Sequence, residues 1–215
     1  MTSTQGLLIP TTIEELCDPS RMALLVYDMQ TGITSQVADG ARITERSARA
    51  LAVARAAGMR VAFTRHLSMP KPWMGVTQYR TAMAWQRTND PAAVNPWFLR
   101  DAPAFAIVPE LAPRPDEAVF DKLAMSAFEG TPLSYALRDC GVTAVAIVGI
   151  ALEIGIEPTC RHATDLGFIP VVLADGCGAG HPEAGERTLE HMRFIGEAVI
   201  SDVDSFARLF ERHRS

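Results

Sequence analysis

Three stretches of this 215-residue chain hold residue types suited to acid–base or acyl-transfer chemistry. Asp28 stands near the end of the run "MALLVYDM", directly after six apolar or aromatic residues. A carboxylate at the end of a buried strand costs several kcal/mol unless it is paired or hydrogen-bonded. Such an acid serves either as a general acid or base in a dry crevice or as a cap for the next turn. Lys122 follows a short apolar segment in "VFDKLAMSAFEGTPL". Beside Asp28 it would be a charge partner, or an anchor for a substrate carboxylate. The third stretch, "AVAIVGIALEIGIEPTC" (144–160), reads as a buried strand, a sharp turn and a helix, where α/β enzymes often carry a nucleophile. Here the turn offers Gly155 and Ile156, and the nearest thiol, Cys160, lies further into the helix. Unpaired N–H groups at that helix start suit an oxyanion or a carboxylate; a tight packing turn is the plainer alternative. Glu153 can cap, pair with a basic residue or line a pocket.

The surrounding pattern supplies elements that would bring these residues together. Continuous apolar runs at 22–29 and 142–150 predict fully buried strands, with further strands at 59–66, 117–123 and 168–177. Helical spacing covers 39–58, 130–141, 157–167 and 182–196, and 197–210 reads as a short strand and a final helix. This alternation predicts an α/β fold, a three-layer α/β/α sandwich around a mostly parallel, Rossmann-type sheet. Ligands of such sheets bind beyond the carboxyl ends of the strands. That edge collects Asp28, the Arg65–His66 pair, Lys122 and the 150–156 turn. One domain is expected over 1–215, with an N-terminal arm at about 1–20. A lid-like loop at about 67–103 is rich in Trp, Met, Pro and Gly. Trp73, Tyr79, Trp85 and Trp97 in or near it suit either a ring-clasping wall or a subunit contact.

Composition narrows the class. A net charge of −5, with no basic run, gives no reason to expect a nucleic-acid partner. No uncharged apolar window reaches the length of a membrane span. The four cysteines form no CxxC pair and no signal peptide is expected, so reduced thiols and a cytoplasmic location are expected. His66, His162, His181, His191 and His213 lack metal-ligand spacing, and no nucleotide-binding glycine motif is present, so no metal and no cofactor are expected. His162, on a helix, reads as a packing or surface residue.

With these pieces in place, the chain resembles the isochorismatase-like hydrolases. The matching segments are "ALLVYDMQ" (23–30), "VFDKLAMSAFEGTPLSYALRDCGV" (119–142), "VAIVGIALEIGIEPTCRHATDLGF" (145–168) and "VVLADGCGAG" (171–180). In the family's amidases an Asp, a Lys and a Cys act together: the Asp takes the thiol proton and the thiolate attacks an amide carbonyl. The resemblance assigns the first two to Asp28 and Lys122, but Gly155 stands at the cysteine position. It places a cis peptide at Ala151–Leu152, and the metal ligands of the family's nicotinamidases are unmatched. The isochorismatase branch also carries Gly there and cleaves an enolpyruvyl vinyl ether by protonation, which would make Asp28 a general acid. That role needs a protonated carboxyl, which a neighbouring lysine opposes. In the turn, Leu152 and Glu153 depart from that branch's residues.

The resemblance therefore implies a hydrolase without a cysteine nucleophile, with Asp28, Lys122 and Gly155 at its centre. Substrate contacts are expected at Gln30, Arg65, His66, Trp85, Ala151, Leu152, Glu153 and Ile156. The reaction implied is vinyl-ether cleavage of an isochorismate-like carboxylate. The alternatives are amide or ureide hydrolysis by a displaced thiol or an activated water, and a non-catalytic binding module. Cys160, more than a turn past Gly155 and roughly 7 Å along a helix axis, has packing as its default role; Cys177 is a weaker thiol candidate. The expected ligand is a small carboxylate or ring compound, and the family resemblance implies a homodimer or homotetramer.

Overall fold

The structure, a computed structural model, describes residues 2–211, so His213 and the extreme ends of the expected domain lie outside the described residues. The N-terminal arm opens with an antiparallel hairpin of β1 (Thr2–Thr4) and β2 (Leu7–Ile9). The hairpin was not legible in the sequence, because its strands are only three residues long and β2 is exposed throughout.

The central sheet comprises β3 (Met22–Tyr27), β4 (Arg60–His66), β5 (Ala118–Lys122), β6 (Ala144–Ile150), β7 (Ile169–Gly178) and β8 (Val199–Ser201). Their order is β5-β4-β3-β6-β7-β8, and every pairing is parallel. β3 and β6 are buried at every position. That is why they read as unbroken apolar runs: a central parallel strand has no face toward water. Successive side chains of β3 feed opposite layers. Met22, Leu24 and Val26 pack with α2 (Gly40–Ala56), which follows the short α1 (Thr31–Thr34), and with α7 (Val203–Glu211). Ala23, Leu25 and Tyr27 pack with α4 (Leu133–Asp139), α5 (Glu157–Asp165) and α6 (Pro182–Ile195). The three-layer α/β/α sandwich expected from the alternation is the architecture found.

Three local features differ from the sequence reading. The 67–103 segment, read as a loop with short helices at most, holds a regular helix of 10 residues, α3 (Val76–Trp85), with no buried residue and therefore no apolar stripe to announce its bounds. The turn after β6 is a wide π-type turn, Leu152–Ile156, running into α5. The stretch "DGCGAG" (175–180), whose glycines read as a turn, continues β7 as far as Gly178.

The topology fixes the site. After β5 the chain returns to the other side of β3 as β6, so the strand order reverses between these two neighbours. The ends of β3 and β6 thus frame a crevice at the switch point. Gln30, expected to touch substrate, instead locks this edge. It is wholly buried; its Oε1 accepts the His66 N–H at 2.6 Å, and its Nε2 donates to the His66 and Phe105 carbonyls at 3.1 Å each. The side chain is consumed in holding the end of β4. Gln30→Leu, of similar bulk, leaves those three backbone groups unpaired, and we expect a loss of about 3 kcal/mol in urea unfolding.

Candidate active site

Asp28 follows the last residue of β3 with φ +47°, a left-handed backbone that non-glycine residues rarely adopt and that recurs at functional sites. It is only 3% exposed. Its Oδ1 accepts the Thr64 hydroxyl at 2.7 Å, and its Oδ2 pairs with Lys122 Nζ at 2.7 Å. Thr64 and Lys122 come from β4 and β5, so three parallel strands deliver one polar cluster. The Lys122 ammonium also donates to the Tyr27 hydroxyl at 2.8 Å and to the Ala124 carbonyl at 3.2 Å. An ammonium has three N–H donors, and all three are used. Lys122 is therefore a partner for Asp28, and the carboxylate-anchor reading does not hold for it.

Above the cluster lies a cavity of about 280 Å³, and Tyr27, Asp28, His66, Ala151 and Gly155 are among its lining residues. Trp85, at the end of α3, forms part of its wall with Trp97 and Phe98. The His66 ring meets Trp85 and Phe98 edge-on, with centroids 5.8 Å apart in each case. Burial pushes its pKa down to about 4; the Asp28 charge opposes that shift and Lys122 adds to it. His66 thus presents a neutral imidazole to the cavity at neutral pH. A smaller hollow of about 80 Å³ under α3 shares His66, Trp85 and Phe98 with the main cavity.

Four other residues assigned to substrate lie outside this wall, each for a visible reason. Arg65 points to the other side of β4 from Thr64 and His66, pairs with Asp121 at 2.7 Å and stacks on Phe105. Leu152 and Ile156 are core residues beneath α5. Glu153 turns toward the start of α6, where its Oε1 accepts the His181 N–H at 2.8 Å. The expected oxyanion donors need the same revision. The N–H groups of Gly155 and Ile156 are spent on the Ala151 carbonyl, at 3.0 and 3.1 Å. Those of Ala151 and Ile154, which also line the cavity, have no acceptor in the chain among the described residues. The cis peptide lies at Ile150–Ala151, one residue before the expected bond.

A model of the isochorismatase domain matches residues 22–204. The chain belongs to the isochorismatase family. It is a hydrolase of that family, so the non-catalytic reading is set aside. Ureidoacrylate amidohydrolase RutB of Methylobacterium radiotolerans is 30% identical over 220 residues, covering 94% of this chain and 84% of that protein. Among solved structures, a cysteine hydrolase from Pseudomonas syringae pv. phaseolicola superposes with TM-score 0.78 at 22% identity, covering 91% of this chain and 94% of that one. An isochorismatase family protein from Burkholderia thailandensis gives TM-score 0.75 at 25% identity, covering 90% and 97% respectively.

Within this isochorismatase fold, the residue that the sequence reading missed is Tyr27. A Cβ placed on Gly155 would fall inside the Tyr27 hydroxyl and lie 2.7 Å from its Cε1. The glycine does not open a gap for substrate or water; it makes room for a tyrosine. The Tyr27 hydroxyl donates to the Met125 carbonyl and accepts from Lys122. Burial first, and the Asp28 charge second, hold its pKa well above the ordinary tyrosine value, so it stays a neutral hydroxyl. Nothing in one sequence couples positions 27 and 155, which are adjacent only across the sheet. Neither displaced thiol reaches the cavity. Cys160 is fully buried with its pKa raised chiefly by burial, and Cys177 packs against the Ile147 carbonyl with its pKa raised for the same reason.

Two measurements check this geometry. Gly155→Ala should cost about 2–3 kcal/mol in chemical denaturation from overpacking. In a Tyr27→Leu background the same change should cost at least about 1 kcal/mol less, a coupling expected only for residues in direct contact. The His66 shift predicts a pH effect of definite sign. Between pH 6.5 and about 4 the unfolded chain takes up a proton that folded His66 refuses, so stability is full above 6.5 and falls with pH through that window. His66→Phe should make the fall shallower when melting is followed from pH 7 to 4.

Proposed function

We propose that this chain hydrolyses the C–N bond of a small amide or ureide by attack of a water molecule that Asp28 activates, with no enzyme thiol. The observation that carries this reading is the Asp28 carboxylate, at the cavity wall and fixed by Lys122 and Thr64, facing a position 155 closed to any nucleophilic side chain. The name of the relatives, ureidoacrylate amidohydrolase, supports the choice of bond. A carboxylate with two fixed partners still has lone pairs free to accept a proton. As water adds to the carbonyl carbon, Asp28 takes its proton. The C=O pair moves onto oxygen, where the N–H groups of Ala151 and Ile154 are suited to receive the charge. The tetrahedral centre then collapses: the C–N bond breaks and the proton on Asp28 passes to the leaving nitrogen. Lys122 holds the carboxylate in place and balances its charge without touching substrate.

The vinyl-ether reading is the weaker of the two. It requires Asp28 to act as a proton donor, whereas its Oδ2 is engaged as the acceptor of the Lys122 ammonium at 2.7 Å. Ureidoacrylate and isochorismate, supplied in turn, discriminate between them by release of ammonia or pyruvate. We expect ammonia from the ureide and no pyruvate. Asp28→Asn should lower kcat by about 10²–10⁴-fold. Alkylation of the accessible thiols, Cys140 and Cys17, should leave turnover unchanged. Pyruvate release, or an active Asp28→Asn enzyme, would overturn the proposal.

A further inference from the structure

The charge inventory of the cavity singles out one residue. Asp28 is matched by Lys122. His66 is neutral, and Arg65 is committed to Asp121 outside the wall. Among the described residues, one other lining group is charged: Arg87, exposed at the cavity rim. It follows the lid helix α3 with φ +50°, one of three non-glycine residues in the left-handed region. Its guanidinium makes no ion pair or side-chain hydrogen bond within the chain among the described residues, unlike Arg46, Arg55, Arg65, Arg100 and Arg161. A side chain held by an uncommon backbone, at a cavity mouth and without a protein partner, is free to meet a ligand. A guanidinium matches a carboxylate with two parallel hydrogen bonds. Deeper in the same cavity, the half-buried His66 presents an imidazole whose nitrogens have no hydrogen-bond partner among the described residues. The wall between is aromatic, from Trp85, Trp97 and Phe98.

We infer that Arg87 is the specificity-determining residue of this cavity, receiving the carboxylate of a planar unsaturated acid whose reactive group lies inward at Asp28 and His66. The nature of that reactive group rests on the C–N hydrolysis proposed above; the anchoring of the carboxylate does not. An arginine on the lid, rather than the buried lysine, then selects anionic substrates. Neutral analogues would reach the aromatic wall but lose the charge-assisted contact.

The test uses two probes that cannot be hydrolysed, trans-cinnamate and the neutral cinnamyl alcohol, titrated calorimetrically into the intact protein. The wild type should bind the carboxylate at least about tenfold more tightly than the alcohol. Arg87→Met should abolish that preference while leaving alcohol affinity within about twofold, and Arg87→Lys should keep part of it. An unchanged melting temperature in both variants excludes misfolding as the cause. A wild type with no preference, or an Arg87→Met variant that retains it, overturns the inference. Ammonia release from ureidoacrylate is measured beside it. If that release is absent while the carboxylate preference is present and depends on Arg87, the anchor stands and the C–N reading falls.

Discussion

The buried pair of Asp28 and Lys122 is the constraint around which the rest of the site is arranged. Two opposite charges withdrawn from water repay their desolvation only when the remaining donors and acceptors are also satisfied. Here Thr64 completes one carboxylate oxygen, and Tyr27 and the Ala124 carbonyl complete the ammonium. These groups come from β3, β4, β5 and the turn after β5, so the pair can form only when those strands are in register. The clamp by Gln30 on the end of β4 belongs to the same requirement, because it fixes the strand that carries both Thr64 and His66. The buried polar cluster and the sheet edge are one structure rather than a site added to a scaffold.

The exchange between Tyr27 and Gly155 follows from that pair. An ammonium buried beside a carboxylate needs a third acceptor, and a tyrosine hydroxyl supplies it by occupying the space that a side chain at 155 would need. The two positions are therefore alternatives in steric terms: a nucleophile at the helix start, or a tyrosine beneath it. Choosing the tyrosine keeps the acid–lysine pair intact and removes covalent catalysis through residue 155. It also explains why a thiol elsewhere brings no compensation. Cys160 and Cys177 belong to the apolar layer under α5, where burial keeps them protonated.

How much of this was legible depends on the range of the interaction. The strands and helices of the sandwich declare themselves through local periodicity, and Asp28 and Lys122 through charges set at the ends of apolar runs. Arg65, Leu152, Glu153 and Ile156 looked equally eligible, because proximity to a strand end says nothing of which way a side chain turns. β-strand alternation sends His66 inward and Arg65 outward, and the π-type turn sends Leu152 and Ile156 into the core. Tyr27 was passed over as one more apolar residue in a buried strand. Its role depends on a glycine 128 positions away, a pairing made only by the adjacency of β3 and β6.

The distribution of charge suggests how the labour is divided between depth and rim. At the floor, every charge has a fixed partner and the neighbouring imidazole is neutral, so the field there is that of one neutralised pair and a set of oriented dipoles. Such an environment reorganises little when charge develops on a substrate oxygen, which is the condition under which fixed N–H donors are most effective. At the rim, the aromatic wall and Arg87 belong to the 67–103 segment, whose helix buries no face and which is closed on itself by hydrogen bonds between Ser68 and Phe98. Loops of this kind vary without disturbing the core. The lid can thus change the ligand that the cavity accepts without disturbing the acid–lysine floor beneath it.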